Sequence, residues 1–147
     1  MNYWTDIHPA LEAAEAMLDS VDDDMSRLPE AVQVFLTVHG AQGAIDNGGF
    51  VFFFEADWPG SPPYEDFIAA YETIGCIKQA AALRRIVGTF PFADPHLHKD
   101  KRLEFMEARY DKSAYGVPDW NRNIRCFGAE VWKRLAKYCE LHEDDFA

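Results

Sequence analysis

Apolar residues recur at helical spacing along most of the chain and nowhere alternate convincingly with a period of two. Leu11, Ala14, Leu18 and Val21 predict an amphipathic helix over residues 9–22, with Pro9 in its first turn. Ala31, Val34, Phe35 and Val38 predict a second helix, loosened by Gly40 and Gly43. Tyr64, Phe67, Tyr71 and Ile74 predict a third, ending at Gly75. Leu83, Ile86, Val87 and Phe90 predict a fourth that forms a hairpin with the third, and Leu103, Met106 and Tyr110 a short fifth. A last helix of about 20 residues is predicted from Asp119 as N-cap, with Trp120, Ile124, Phe127, Val131, Leu135 and Tyr138 on one side. Residues 58–63, with three prolines and a glycine, exclude regular structure, and residues 92–98 form a second irregular stretch.

One segment stays open. Asp46-Asn47-Gly48-Gly49 leads into Phe50-Val51-Phe52-Phe53-Phe54, which suits either a hairpin strand or a buried helix capped by Asp46 or Asn47. The remaining pattern predicts an all-α fold, a single-domain helical bundle of about six or seven helices over residues 1–147. That length supports one hydrophobic core and is short for two.

Charge changes the picture more than composition does. Residues 1–77 hold fourteen acids and a single base, Arg27, whereas residues 78–147 hold eleven acids and thirteen bases, so the first part carries all of the net −11. Glu12, Glu15, Asp19 and Asp22 form a stripe beside the apolar face of the first helix, extended by Asp23 and Asp24, with no Lys or Arg to answer it. Each like-charged neighbour costs about 0.2–0.5 kcal/mol, a local penalty that invites a functional reading beside that of a solvated surface. Such a field repels nucleic acid and anionic membranes and attracts basic proteins. The four charges span about 15 Å, one per about 5 Å, against one per about 3.4 Å on a single DNA strand. A DNA-like surface therefore also needs Glu30, Glu55, Asp57, Glu65 and Asp66 on the same face, or a second subunit in a homodimer.

Catalytic signatures are weak. His96 and His98, beside Asp94, are of metal-ligating types but lack further ligands at a recognised spacing. Cys139 and His142 are close enough in sequence to touch, without a visible electropositive cleft. No phosphate loop, GxSxG or HExxH occurs, so no metal, cofactor or enzymatic role is expected. The three cysteines, Cys76, Cys126 and Cys139, are odd in number and widely spaced, hence expected to be reduced and buried. Neither a long apolar run nor a signal peptide is evident, which gives the expectation of a cytoplasmic protein. Two alternatives stand beside an acidic binding domain. One is an enzyme or small-ligand binder using the loop from Trp58 to Pro63 and the loop from Phe92 to His98; the other is an immunity-type interaction module anchored by apolar residues such as Tyr3, Trp4 and Trp58.

The Asp46–Phe54 run, Ala70-Tyr71-Glu72-Thr73-Ile74-Gly75-Cys76, Phe90-Pro91-Phe92 and the closing Tyr138-Cys139-Glu140-Leu141-His142-Glu143-Asp144-Asp145-Phe146 together resemble the DNA-mimic-protein-19-like family, a bacterial family of small helical domains. The likeness covers roughly residues 30–147, with Asn47-Gly48-Gly49-Phe50 as its most specific element. It implies that this element opens a buried helix. Through the member that gives the family its name, it also implies an acidic dimer that occupies the DNA-binding face of a transcription regulator. That activity depends on surface carboxylates and not on the shared motif. Phe52 stands where many relatives have glutamine, and Glu55-Ala56 replaces a polar stretch.

Overall fold

Aromatic side chains from five parts of the chain meet at the centre of the molecule, and the helices are arranged around them. The computed structural model describes residues 3–147; the side chains of Tyr3 and Trp4, two of the apolar anchors named above, lie outside the described residues. Six α-helices follow in order: α1 Tyr3–Ser20, α2 Glu30–Glu55, α3 Tyr64–Thr73, α4 Ile77–Val87, α5 Lys99–Arg109 and α6 Ala129–Leu141. Short 3₁₀ segments lie at Met25–Arg27, Pro95–Leu97, Asn121–Cys126 and Glu143–Phe146. Among the described residues the only extended pairing is an isolated bridge between Asp111 and Gly116, so the fold is all-α.

α2 is the hub, touching every other α-helix except α4 through substantial packing. Its second half carries Phe53 and Phe54, whose rings meet Tyr64, Phe67, Phe90 and Trp120 at centroid separations of 5.0–5.7 Å. These edge-on and tilted arrangements suit the quadrupoles of the rings. α3 and α4 form the expected hairpin, and α1 lies on α6.

The segment left open by periodicity is helical, but Asp46 and Asn47 do not cap it. α2 continues through Gly40 and Gly43 and breaks only at Gly48 (φ −153°, ψ 16°) and Gly49 (φ 71°, ψ −167°) before resuming at Phe50. Asp46 directs its two carboxylate oxygens instead to the Nε2–H of Gln42 and the Nε1–H of Trp132, both at 2.8 Å.

Three other expectations are corrected. α1 begins six residues before Pro9, which therefore lies inside the helix and leaves the Thr5 carbonyl without its usual amide donor. The fifth helix buries Arg102, Phe105 and Met106, leaving Leu103 and Tyr110 exposed. The long final helix is divided: a 3₁₀ segment ends at Cys126, and α6 starts after Gly128, so Asp119 caps neither. The carbonyls of Cys126 and Phe127 accept hydrogen bonds from the buried side chains of Gln79 (2.7 Å) and Gln42 (2.8 Å). Those bonds satisfy the two carbonyls without a continuing helix.

α1 ends in a tight reversal in which the Asp22 amide donates to the Asp19 carbonyl and the Asp23 amide to the Leu18 carbonyl. Asp22 (φ 54°) holds the left-handed position usually given to glycine. Asp22→Gly is therefore expected to stabilise the protein by about 0.5–1 kcal/mol, read as a higher urea midpoint at unchanged slope. A lower midpoint would show that the carboxylate contributes more than the backbone conformation costs.

Candidate functional site

All ten carboxylates predicted to form a partner-binding face are exposed, but they fall into two sets. Glu12, Glu15 and Asp19 lie on α1 and Asp22, Asp23 and Asp24 in the turn after it; Glu55, Asp57, Glu65 and Asp66 surround the junction between α2 and α3. Glu15 is close enough to His39 of α2 to oppose the lowering of its pKa, which burial dominates. Glu55 lies sixteen residues beyond His39, on the far side of the Gly48-Gly49 break. The second set is partly neutralised from the basic part of the chain. Asp57 pairs with Lys99 at 2.6 Å, and Glu65 with Arg84 at 3.2 Å, the latter also held by Glu72 at 2.8 Å. These exposed pairs add little stability, yet they cancel charge.

The α1 set instead acquires companions that the sequence reading missed. The Glu143–Phe146 segment packs on α1 and on α2, with Phe146 edge-on to Phe35 at 5.4 Å. Burial raises the pKa of Tyr138, and Glu30 and Asp145 push it further in the same direction, so both acids lie near this ring. Glu143, Asp144 and Asp145 thus bring a second group of acids to the α1 pole, with Asp145 meeting Glu30 around Tyr138, but on another side of the helix. Glu143 lines a groove with Asp6, Pro9, Ala10 and Ala13, centred about 140° around α1 from Glu12, Glu15 and Asp19 at 100° per residue. The signal of this second group was present as a terminal acidic run but was masked by the thirteen bases in the same half of the chain. The pole is not purely anionic. Lys137 approaches Glu140 at 3.6 Å, and two imidazoles, which carry charge only when protonated, meet acids there: His8 meets Glu12 at 3.1 Å and His142 meets Asp145 at 3.5 Å. A groove of 680 Å³ between α1 and α6 mixes Asp6, Glu140 and Glu143 with Lys133 and Lys137.

A second groove, of 640 Å³, runs between the resumed half of α2 and α5. Phe52 (49% exposed) and Tyr115 (84%) line it with Val51, Met106 and Tyr110. Trp58 is no such anchor. Its indole N–H donates to the Phe53 carbonyl at 3.1 Å, and its ring packs against Phe53 and Phe67.

The loops around Trp58 and His96 share a cleft of 90 Å³, well below the roughly 300–1,000 Å³ of ordinary small-molecule pockets. His96 is half-buried with its ring toward Tyr64, and His98 is exposed near Phe92. Among the described residues no group of three potential ligands could hold a metal ion. Cys76 and Cys139 are buried, with thiols pushed up to about 12 chiefly by desolvation, whereas Cys126 is half-buried. The His142 ring lies against Tyr138, at 4.3 Å. No described helix is long and apolar enough to cross a membrane.

Neither the curated proteins nor the solved structures provide a match to this chain. A family model described as DMP19-like protein matches residues 26–142, which span α2 to α6 and the core built on the Gly48-Gly49 break, and the chain belongs to that family.

Proposed function

We propose that the protein is a non-enzymatic acidic binding domain whose α1 pole engages a basic protein, such as a transcription regulator or another DNA-binding protein, in place of DNA. The observation that carries this reading is the exposed run Glu15, Asp19, Asp22, Asp23 and Asp24, which no Lys or Arg answers within 4 Å among the described residues, with a second acidic segment, Glu143–Phe146, packed on the same helix. The protonated, buried Cys76 and Cys139 support the absence of thiolate chemistry. Capture of basic proteins on the immobilised domain at low salt, followed by affinity measurements on each, tests the reading. A partner's Kd should rise at least about tenfold between 50 and 200 mM salt, and the Glu12→Gln, Glu15→Gln, Asp19→Asn triple variant should weaken binding by a similar factor. Salt-independent affinity, or full binding by the triple variant, would reject it.

The exposed Phe52 and Tyr115 favour one competing reading, an interaction module that recognises its partner through the α2–α5 groove. Phe52→Ser would then abolish capture while the triple variant leaves it intact.

A further inference from the structure

We propose that the cleft between loops 58–63 and 92–98 binds a small tetrahedral oxyanion of the phosphate class, held by Arg102 and Tyr64. Arg102 is 3% exposed and has no carboxylate within 4 Å among the described residues. Its Nε–H donates to the Phe54 carbonyl at 2.9 Å and its Nη1–H to the Pro95 carbonyl at 2.8 Å. Those two bonds clamp the guanidinium, no protein group among the described residues takes its Nη2 donors, and the residue lines the cleft. A buried cation without a counter-ion is costly, and a bound anion supplies the missing charge.

Tyr64 provides an independent observation. It is 4% exposed and lines the same cleft, yet its hydroxyl has no hydrogen-bond partner among the described residues. Burial pushes its pKa up to about 12, against the pull of Arg102, so the hydroxyl remains a neutral donor. Asp57, Ser61, His96 and Lys99 complete the polar lining; Asp57 is paired with Lys99 at 2.6 Å, which leaves the Arg102 charge uncompensated in the wall of the cleft. Tyr64 and Lys99 are also the first residues of α3 and α5, so both helices begin at the wall of this cleft.

The volume selects the ligand class. At 90 Å³ the cleft suits a group as small as a tetrahedral oxyanion, and its open side leaves room for a substituent on that group. Donors arriving from a guanidinium, a phenol and a serine on separate elements suit an anion with oxygens in several directions better than a planar carboxylate.

Titration of the full chain with inorganic phosphate, followed by calorimetry and ³¹P NMR at constant ionic strength, tests the site. One saturable site is expected, with acetate binding more weakly. Tyr64→Phe, which keeps the packed ring, should weaken phosphate binding about three- to tenfold. Arg102→Gln should abolish binding if it folds, and the tyrosine variant carries the test if it does not. Methyl phosphate separates the sources: equal binding indicates a phosphoryl group on a larger molecule, and preference for phosphate indicates the free ion, either of which supports the site. No saturation by phosphate, acetate binding as tightly, or an unchanged affinity in Tyr64→Phe would overturn it and leave Arg102 as a structural clamp.

Discussion

Replacing Gln42 with methionine should destabilise the protein by about 2–5 kcal/mol, because two buried polar groups lose their partner at once. Gln42 is completely buried; its Nε2 donates to the Phe127 carbonyl and to Asp46 at 2.8 Å, and its Oε1 accepts from the hydroxyl of Tyr71 at 3.0 Å. Methionine fills a similar volume, so the cost comes from the stranded Tyr71 hydroxyl and Phe127 carbonyl and not from a cavity. Asp46 is exposed and recovers water, and it keeps the Trp132 indole. A double-mutant cycle separates these contributions. Tyr71→Phe alone should cost about 1–2 kcal/mol, and the pair should cost less than the sum by about 1–2 kcal/mol, since the hydroxyl that Gln42 satisfied is then gone. Urea unfolding of the four proteins measures this. Strict additivity would mean that the Tyr71–Gln42 bond contributes nothing.

The same side chain explains where sequence reading stopped. Faces such as Ala31, Val34, Phe35 and Val38, or Tyr64, Phe67, Tyr71 and Ile74, were legible because each is a local repeat that is buried as a unit. The division before α6 was not, because its cause lies in Gln79 and Gln42, 47 and 85 residues away in sequence from the carbonyls they hold. Arg102 likewise binds the carbonyls of Phe54, near the end of α2, and of Pro95, and it reads as an ordinary charged residue in a polar segment. Three buried polar side chains thus help fix the ends of elements, and each looks interchangeable with surface residues until its distant partner is known. The candidate site was half legible for the same reason. The α1 stripe is a local pattern, whereas the approach of the Glu143–Phe146 segment to α1 and the meeting of Glu30 with Asp145 around Tyr138 depend on packing.

Gly49→Ala is expected to cost about 1–3 kcal/mol, because φ 71° with ψ −167° falls in a region that is essentially open to glycine alone. Space is not the obstacle at this position, since nothing lies within 4 Å of where a Cβ would stand. At Gly48 the obstacle is steric: a Cβ would sit 2.6 Å from the Cβ of Phe52, too near the backbone for the side chain to swing away. The two glycines therefore make the break for different reasons. The break lets α2 resume with Phe50 edge-on to Phe127 at 5.1 Å and with Phe53 and Phe54 in the core, while Phe52 is left over the α2–α5 groove. Gly43 supplies the control. It is helical, and a Cβ there would also meet nothing within 4 Å, so Gly43→Ala should stabilise by up to about 1 kcal/mol. Opposite signs for Gly43→Ala and Gly49→Ala in urea unfolding would tie the most specific element of the family, Asn47-Gly48-Gly49-Phe50, to backbone conformation. If Gly49→Ala were as harmless as Gly43→Ala, α2 would be able to run straight through, and the aromatic core would have to tolerate the resulting rotation of Phe50, Phe53 and Phe54.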